Sequence, residues 1–157
     1  MRHLFRRAAT ALALAVAFTA CEGDVPVSTQ DPTQITYAPE LGVDLTLMTR
    51  TTNGVYYRDL VVGEGDAATT GQTIGVRYGG FLNDGSIFDA KSSGTFQFDL
   101  GAHQVIAGWD EGIPGMKIGG RRQLVIPPAL AYGKEGRDGI PPGAVLIFNV
   151  DLITVSE

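Results

Sequence analysis

The chain has 157 residues, of which 44% are hydrophobic and 21 are glycine, and it carries a formal charge of −5. That length fits one ordinary domain, and that composition fits a turn-rich globular fold rather than disorder. The acidic balance argues against a nucleic-acid partner held through phosphate contacts.

Residues 1–20 read as a separate object. Arg2, His3, Arg6 and Arg7 form a basic start, and Ala8 to Ala20 is an almost wholly small or apolar run. The run is too short to span a bilayer and fits a bacterial secretion signal. It ends in Phe18-Thr19-Ala20-Cys21, which resembles the lipobox of bacterial lipoproteins, in which the cysteine is acylated and becomes the new N-terminus. Phe18 departs from the Leu, Val or Ile usual there; the alternative is cleavage near Ala20 to give a soluble product. Cys21 is the only cysteine, so no intrachain disulfide is possible, and a lipid thioether would remove an otherwise exposed thiol. Cleavage would leave nine basic against seventeen acidic residues, a net charge of −8. The expectation is an exported, periplasm-facing envelope protein anchored at Cys21, with the inner or outer membrane left open.

Residues 21–43 are expected to be a flexible tether and 44–157 the domain. Glu22 to Glu40 contains Pro26, Pro32 and Pro39 among many polar residues and has no sustained apolar period. Leu41, Val43, Leu45 and Leu47 alternate with Gly42, Asp44 and Thr46, which predicts an edge strand. Asn53-Gly54 is a turn signal, and Val55 to Val62 is a strand ended by Gly63, Gly65 and Asp66. Gln72 to Leu82 is a strand with Ile74, Val76 and Tyr78 on one face. Asn83-Asp84-Gly85 turns the chain, Ile87-Phe88-Asp89 opens a new element, and Lys91 to Gly94 is a loop before a strand from Thr95.

Val105 to Ile113 holds the only tryptophan. Val105, Trp109 and Ile113 recur at a spacing of four, which predicts a short helix with one apolar side. Pro114 limits it to roughly two turns. Such a helix has little stability of its own, so its surroundings must hold it. Gly108 is expected to leave the indole face open. Arg121 to Ile126 is an alternating strand stopped by Pro127-Pro128, Ala129 to Gly133 forms a turn, and Lys134 to Gly143 is a loop. Ala144 to Val155 is the last and, by this reading, the longest strand, with Leu146, Phe148, Val150 and Leu152 on one face. The fold class is α+β: five or six antiparallel strands with one short helix packed on the sheet, covering a single concave face.

Candidate chemistry is narrow. The two histidines, His3 and His103, lie far apart and no metal-ligand spacing is present. There is no Gly-x-Ser-x-Gly elbow, and Gly133-Lys134-Glu135-Gly136 lacks the spacing of a phosphate loop. Hydrolysis, redox chemistry and nucleotide use are poorly supported, and no cofactor is expected. An aromatic surplus stands out instead: Tyr78, Phe88, Phe96, Phe98, Trp109, Tyr132 and Phe148 come from several elements of one small domain.

Five stretches then carry a resemblance. Val76-Arg77-Tyr78-Gly79-Gly80, Asp84-Gly85-Ser86-Ile87-Phe88-Asp89, Val105-Ile106-Ala107-Gly108-Trp109, Leu130-Ala131-Tyr132-Gly133 and Ile140-Pro141-Pro142 resemble the FKBP-type peptidyl-prolyl cis-trans isomerases. The likeness runs from about Asn53 to the C-terminus. It implies a half-barrel sheet of antiparallel strands wrapped around the short helix, with a hydrophobic pocket over Trp109, against which a substrate proline packs. Tyr78, Phe88, Phe96 and Phe148 would be aromatic walls, with Val105 and Ile106 beside them. The Ile106 amide would receive a substrate carbonyl, Tyr132 would donate from its hydroxyl, and Ile140 would form part of a lid. Asp89, Tyr132, Trp109 and Phe88 are the residues the resemblance assigns to catalysis, with Asp89 the carboxylate at the pocket edge.

The loop between Asp89 and Phe96 is shorter than in the best-known single-domain members and lacks an arginine that often pairs with the aspartate there. Lys91 and Arg77 are the available substitutes. The implied partners are proline-containing polypeptides, rapamycin-type macrolides, and a membrane through the Cys21 lipid. The alternative is a non-catalytic proline-peptide binding module or chaperone of the same fold. Residues 22–40 lack a long helical pattern, so a monomer is expected.

Overall fold

Alternation along the C-terminal strand sets the architecture. Leu146, Phe148, Val150 and Leu152 are buried on one face of the sheet, while Val145 and Ile147 are buried on the other, so the sheet is covered on both sides there. The computed structural model describes residues 29–156. The strands are β1 (Thr49–Arg50), β2 (Tyr56–Val61), β3 (Thr73–Phe81), β4 (Ile87–Asp99), β5 (Arg121–Ile126) and β6 (Leu146–Ser156). They form one open antiparallel sheet in the order β1-β2-β5-β6-β3-β4. One helix, α1 (Ala107–Gly112), packs on it. The expected α+β fold, an antiparallel sheet around one short helix, is the fold observed.

The helix has six residues and no side-chain cap at its N-terminus, so packing must hold it. Gly108 and Gly112 let it lie close to β5. A Cβ on Gly108 would run into Ile126 Cγ2, and one on Gly112 would fall 2.8 Å from a Leu124 methyl. Gly108 therefore seats the helix on the sheet. The far end is held by Arg122, whose side chain is only 5% exposed. Its Nη1 donates to the carbonyls of Gly112 at 2.9 Å and Pro114 at 3.1 Å, and its other nitrogens grip Asp59 at 2.6 and 3.0 Å. A cation on the last carbonyls suits the negative end of the helix dipole, and the ion pair with Asp59 compensates the charge.

Four expectations along the chain are corrected. Leu41 to Leu47 is not an edge strand. Pro39–Leu41 and Leu45–Leu47 are 3-10 turns, because Gly42 takes a left-handed φ of 59° and Asp44 caps the second turn by accepting from the Thr46 amide. The edge strand is β1. Within the proposed 21–43 tether, the described residues from Gln30 onward are packed rather than loose. Leu41 is buried against Val125, Val145 and Ile147, with Ile35, Tyr37 and Val43 around it, because the back of β5 and β6 offers an apolar surface that must be covered.

Lys91 to Gly94 is not a separate loop but a bulge inside β4. Pairing with β3 jumps from Tyr78↔Lys91 to Val76↔Phe96, and Arg77 Nε donates to the Gly94 carbonyl at 3.1 Å across the excess residues. Because the bulge joins two predicted segments, β4, at 13 residues, is longer than β6, at 11. The signal segment and Cys21 lie outside the described residues.

Candidate functional site

Trp109 is the centre of an aromatic nest. The helix brings it to the concave face, where it is 3% exposed, and four strand side chains surround it. Its ring centroid lies 5.0 Å from Tyr78, 5.2 Å from Phe148, 5.6 Å from Phe98 and 6.3 Å from Phe96. The Tyr78, Phe148 and Phe96 rings meet it near edge-on, the arrangement aromatic quadrupoles favour. Phe88 closes the wall, edge-on to Phe148 at 5.4 Å. This wall depends on Gly80 of β3, where a Cβ would fall 2.8 Å from Phe88 and 2.9 Å from Phe148. The Gly79-Gly80 pair was legible as part of a motif, but its packing reason was not.

Over the indole lies a cavity of about 250 Å³. Nine of the ten expected binding residues line it: Tyr78, Phe88, Asp89, Phe96, Val105, Ile106, Trp109, Tyr132 and Phe148. The tenth, Ile140, does not. It is 5% exposed, packs into the main core, and borders an adjoining hollow of about 190 Å³ with Phe88, Asp89 and Tyr132. Its backbone pairs with Arg137, which curls the loop so that Ile140 turns inward. Arg137, a residue that sequence reasoning did not single out, lines both the cavity and that hollow.

The polar groups around the cavity have defined partners. The Tyr78 hydroxyl donates to Asp89 Oδ2 at 2.8 Å. Burial first, then this bond to a carboxylate, push the Tyr78 phenol up to about 12, so it stays protonated at neutral pH. Neither Lys91 nor Arg77 forms an ion pair with Asp89 among the described residues; Arg77 is spent on the β4 bulge and the tyrosine takes the partner's place. The Tyr132 hydroxyl accepts from Arg137 Nη1 at 3.2 Å, and the guanidinium lies 5.0 Å from the centroid of the same ring.

Gln104, also missed from sequence, lines the cavity. Its amide is occupied by Asp99, donating to Oδ2 at 3.0 Å and accepting from the backbone N–H at 3.1 Å. Just before α1, the Ile106 amide donates to no acceptor among the described residues, while its carbonyl accepts from Trp109 N at 2.9 Å. Helix N-termini leave such donors free for a ligand.

Chemically, the site offers an apolar, aromatic slot with a backbone donor and a phenol at its rim. No cluster of three or more His, Cys, Asp or Glu side chains with metal-binding geometry occurs among the described residues. A larger cleft of about 720 Å³ lies between Thr29–Thr33 and Pro127–Lys134. Its only aromatic lining residue is Tyr56, so lining chemistry rather than volume marks the smaller cavity as the candidate site.

The fold is thus a six-stranded antiparallel sheet carrying one short helix, with an aromatic-walled slot over that helix's tryptophan. Residues 65–153 match the family model described as FKBP-type peptidyl-prolyl cis-trans isomerase, and the chain belongs to that family. It is 47% identical over 103 residues to FK506-binding protein 3 of Yarrowia lipolytica, a match covering 65% of this chain and 25% of that protein. The chain thus spans about a quarter of the length of the curated relatives it matches. Among solved structures, AtFKBP13 aligns with a TM-score of 0.64 and 38% identity over 68% of this chain and 97% of that one. A peptidyl-prolyl cis-trans isomerase from Pseudomonas syringae aligns with a TM-score of 0.65 and 36% identity over 71% and 82%.

Proposed function

We propose that this chain accelerates cis-trans rotation about Xaa-Pro bonds in polypeptides, and that it does so as an exported folding catalyst anchored through a lipid on Cys21. The observation that carries the catalytic reading is the cavity over Trp109, walled by aromatic rings and bordered by the free Ile106 amide and the Tyr132 hydroxyl.

The uncatalysed barrier is about 18–20 kcal/mol, because resonance holds the amide planar. Twisting reduces charge separation in the amide, so an apolar slot destabilises the planar ground state more than the twisted transition state. The proline ring packs on Trp109. The Ile106 N–H receives the substrate carbonyl that follows proline, which fixes the chain on one side of the rotating bond. The Tyr132 phenol donates on the other side. Asp89 holds Tyr78 through its hydroxyl and sets that ring edge-on to Trp109. No covalent intermediate is needed; each 1.36 kcal/mol of preference for the twisted form is tenfold in rate. Rapamycin-type macrolides are the expected inhibitors, competing for the same slot.

The anchoring reading rests on the basic start, the apolar run and Phe18-Thr19-Ala20-Cys21. The mature protein would face the periplasm as a monomer. Proline isomerisation takes tens to hundreds of seconds uncatalysed, slow enough to limit folding there.

The test is refolding of a protein limited by a proline bond, with the chain added in catalytic amounts. The expected result is faster refolding that survives many turnovers. Acceleration only at stoichiometric amounts, unaffected by Asp89→Ala, would instead support a binding module. For the anchor, Cys21→Ser is expected to release the protein from the membrane fraction; an unchanged distribution would overturn that part.

A further inference from the structure

The segment ahead of the first strand, Gln30–Leu41, touches both loops that flank the aromatic slot. At one end, the Gln30 amide donates to the Gly143 carbonyl at 2.8 Å, and its side-chain Oε1 accepts from the Val145 amide at 2.9 Å. Gly143 in turn donates to Gly133, the residue after Tyr132, at 2.9 Å. Gln30 therefore clamps the base of the loop that carries Tyr132, Arg137 and Ile140. At the other end, the Ala38 amide donates to the Asn83 carbonyl at 2.8 Å, and Asn83 Nδ2 donates to the Thr36 carbonyl at 3.0 Å. A Cβ on Gly85 would fall 2.6 Å from Glu40 Oε1 and 3.3 Å from the Ala38 methyl. That turn leads directly into Phe88 and Asp89.

Between its two ends the segment is itself held. Leu41 is buried on the back of the sheet, and its carbonyl accepts from the buried Gln123 side chain at 2.8 Å. The Tyr37 hydroxyl donates to the Pro32 carbonyl at 2.8 Å. The loop it grips needs such help, because Gly133, Gly136, Gly139 and Gly143 all take positive φ, between 61° and 79°. Glycines in a loop carry the largest conformational freedom to be lost on ordering.

We propose that Gln30–Leu41 is a positioning strap for the slot: it fixes the Tyr132 wall and the Phe88–Asp89 wall relative to each other through contacts on the opposite side of the sheet. The proposal rests on the isomerase reading above. Tyr132 lies in one of the two gripped loops and Asp89 on β4 just after the other, far apart in sequence, and the strap is a direct tie between those loops besides the sheet. A slot whose walls are pre-set does not spend binding energy ordering them when substrate arrives.

The test uses the full-length chain with Gln30→Ala and Asn83→Ala, which free one end each, and Thr33→Ala as a control that grips neither loop. Gln30→Glu keeps an acceptor for the Val145 amide and serves as the rescue. Gln30→Ala is expected to speed amide exchange across Gly133–Val145 and to lower kcat/KM about fivefold, the scale of a partly misplaced group, with little change in melting temperature. Asn83→Ala is expected to do the same for the 82–86 turn, while Gln30→Glu restores most of the rate and Thr33→Ala matches the parent. The strap is overturned if both alanine variants keep kcat/KM within about twofold of the parent. It is also overturned if their losses follow the melting temperature alone. An inactive parent protein would sink the isomerase reading itself and the proposal with it, an outcome distinct from an active parent with indifferent variants.

Discussion

Arg137 donates to the Tyr132 hydroxyl at 3.2 Å while its guanidinium lies 5.0 Å from the same ring's centroid. A phenol oxygen occupied as acceptor on one side must aim its own proton elsewhere, and the substrate slot lies beside it. Arg137 thus orients the donor that the catalytic reading assigns to Tyr132.

Arg137→Met should therefore lower kcat/KM about threefold to tenfold, the usual scale of one misdirected hydrogen bond. Arg137→Lys should recover only part, since a point charge cannot both stack and donate in one plane. Peptide kinetics checks this; a methionine variant equal to the parent would remove Arg137 from the account.

The Tyr78–Asp89 bond makes a pH prediction. The Tyr78 phenol is raised in the folded protein to about 12, by burial first and then by the bond to Asp89. A raised pKa means that the stabilisation is fully present below the unfolded value of about 10 and is lost as pH climbs through the folded value. The stability difference between the parent and Tyr78→Phe should accordingly be constant up to about pH 10 and change between there and about 12. Urea denaturation of both proteins across that range measures it. A difference that changes between pH 7 and 9 would contradict the assignment.

Gly80 and Gly108 should separate binding from stability. At Gly80 an added methyl would push on Phe88 and Phe148, which wall the slot, so Gly80→Ala should raise KM and weaken rapamycin binding. Unchanged macrolide affinity would show that the two rings absorb the methyl without moving the wall.

Gly108→Ala presses instead on Cγ2 of Ile126 beneath the helix. Overpacking of this kind costs about 1–3 kcal/mol and should appear as a lower melting temperature. A variant as stable as the parent would mean that the helix shifts freely on β5.

Much of this site was readable from the residue order because its parts are local. Alternation in Ile74–Tyr78 and Leu146–Leu152, and the spacing of Val105, Trp109 and Ile113, each point one face inward, and those faces meet at the slot. What stayed hidden depends on contacts distant in sequence. Leu41 to Leu47 alternates like a strand, yet Pro39, Gly42 and the Asp44 cap bend it into turns, because local hydrogen bonds outcompete an edge pairing. The packing of Ile35, Tyr37 and Leu41 gives no periodic signal, since an irregular segment touches the sheet wherever its backbone allows. Arg137 reads as one charge among several in a loop, and only its pairing with Ile140 shows that it lines the slot while Ile140 packs into the core.

The most direct measurement is the cis-to-trans rate of a short Xaa-Pro peptide with the full-length chain, alone and with rapamycin, while the fluorescence of Trp109 is recorded. The chain has one tryptophan, so the signal reports the slot and nothing else. Clear acceleration, its loss on adding rapamycin, and a change in Trp109 emission over the same concentrations are the results expected of the isomerase reading. A folded protein that neither accelerates rotation nor changes its emission with rapamycin would contradict it.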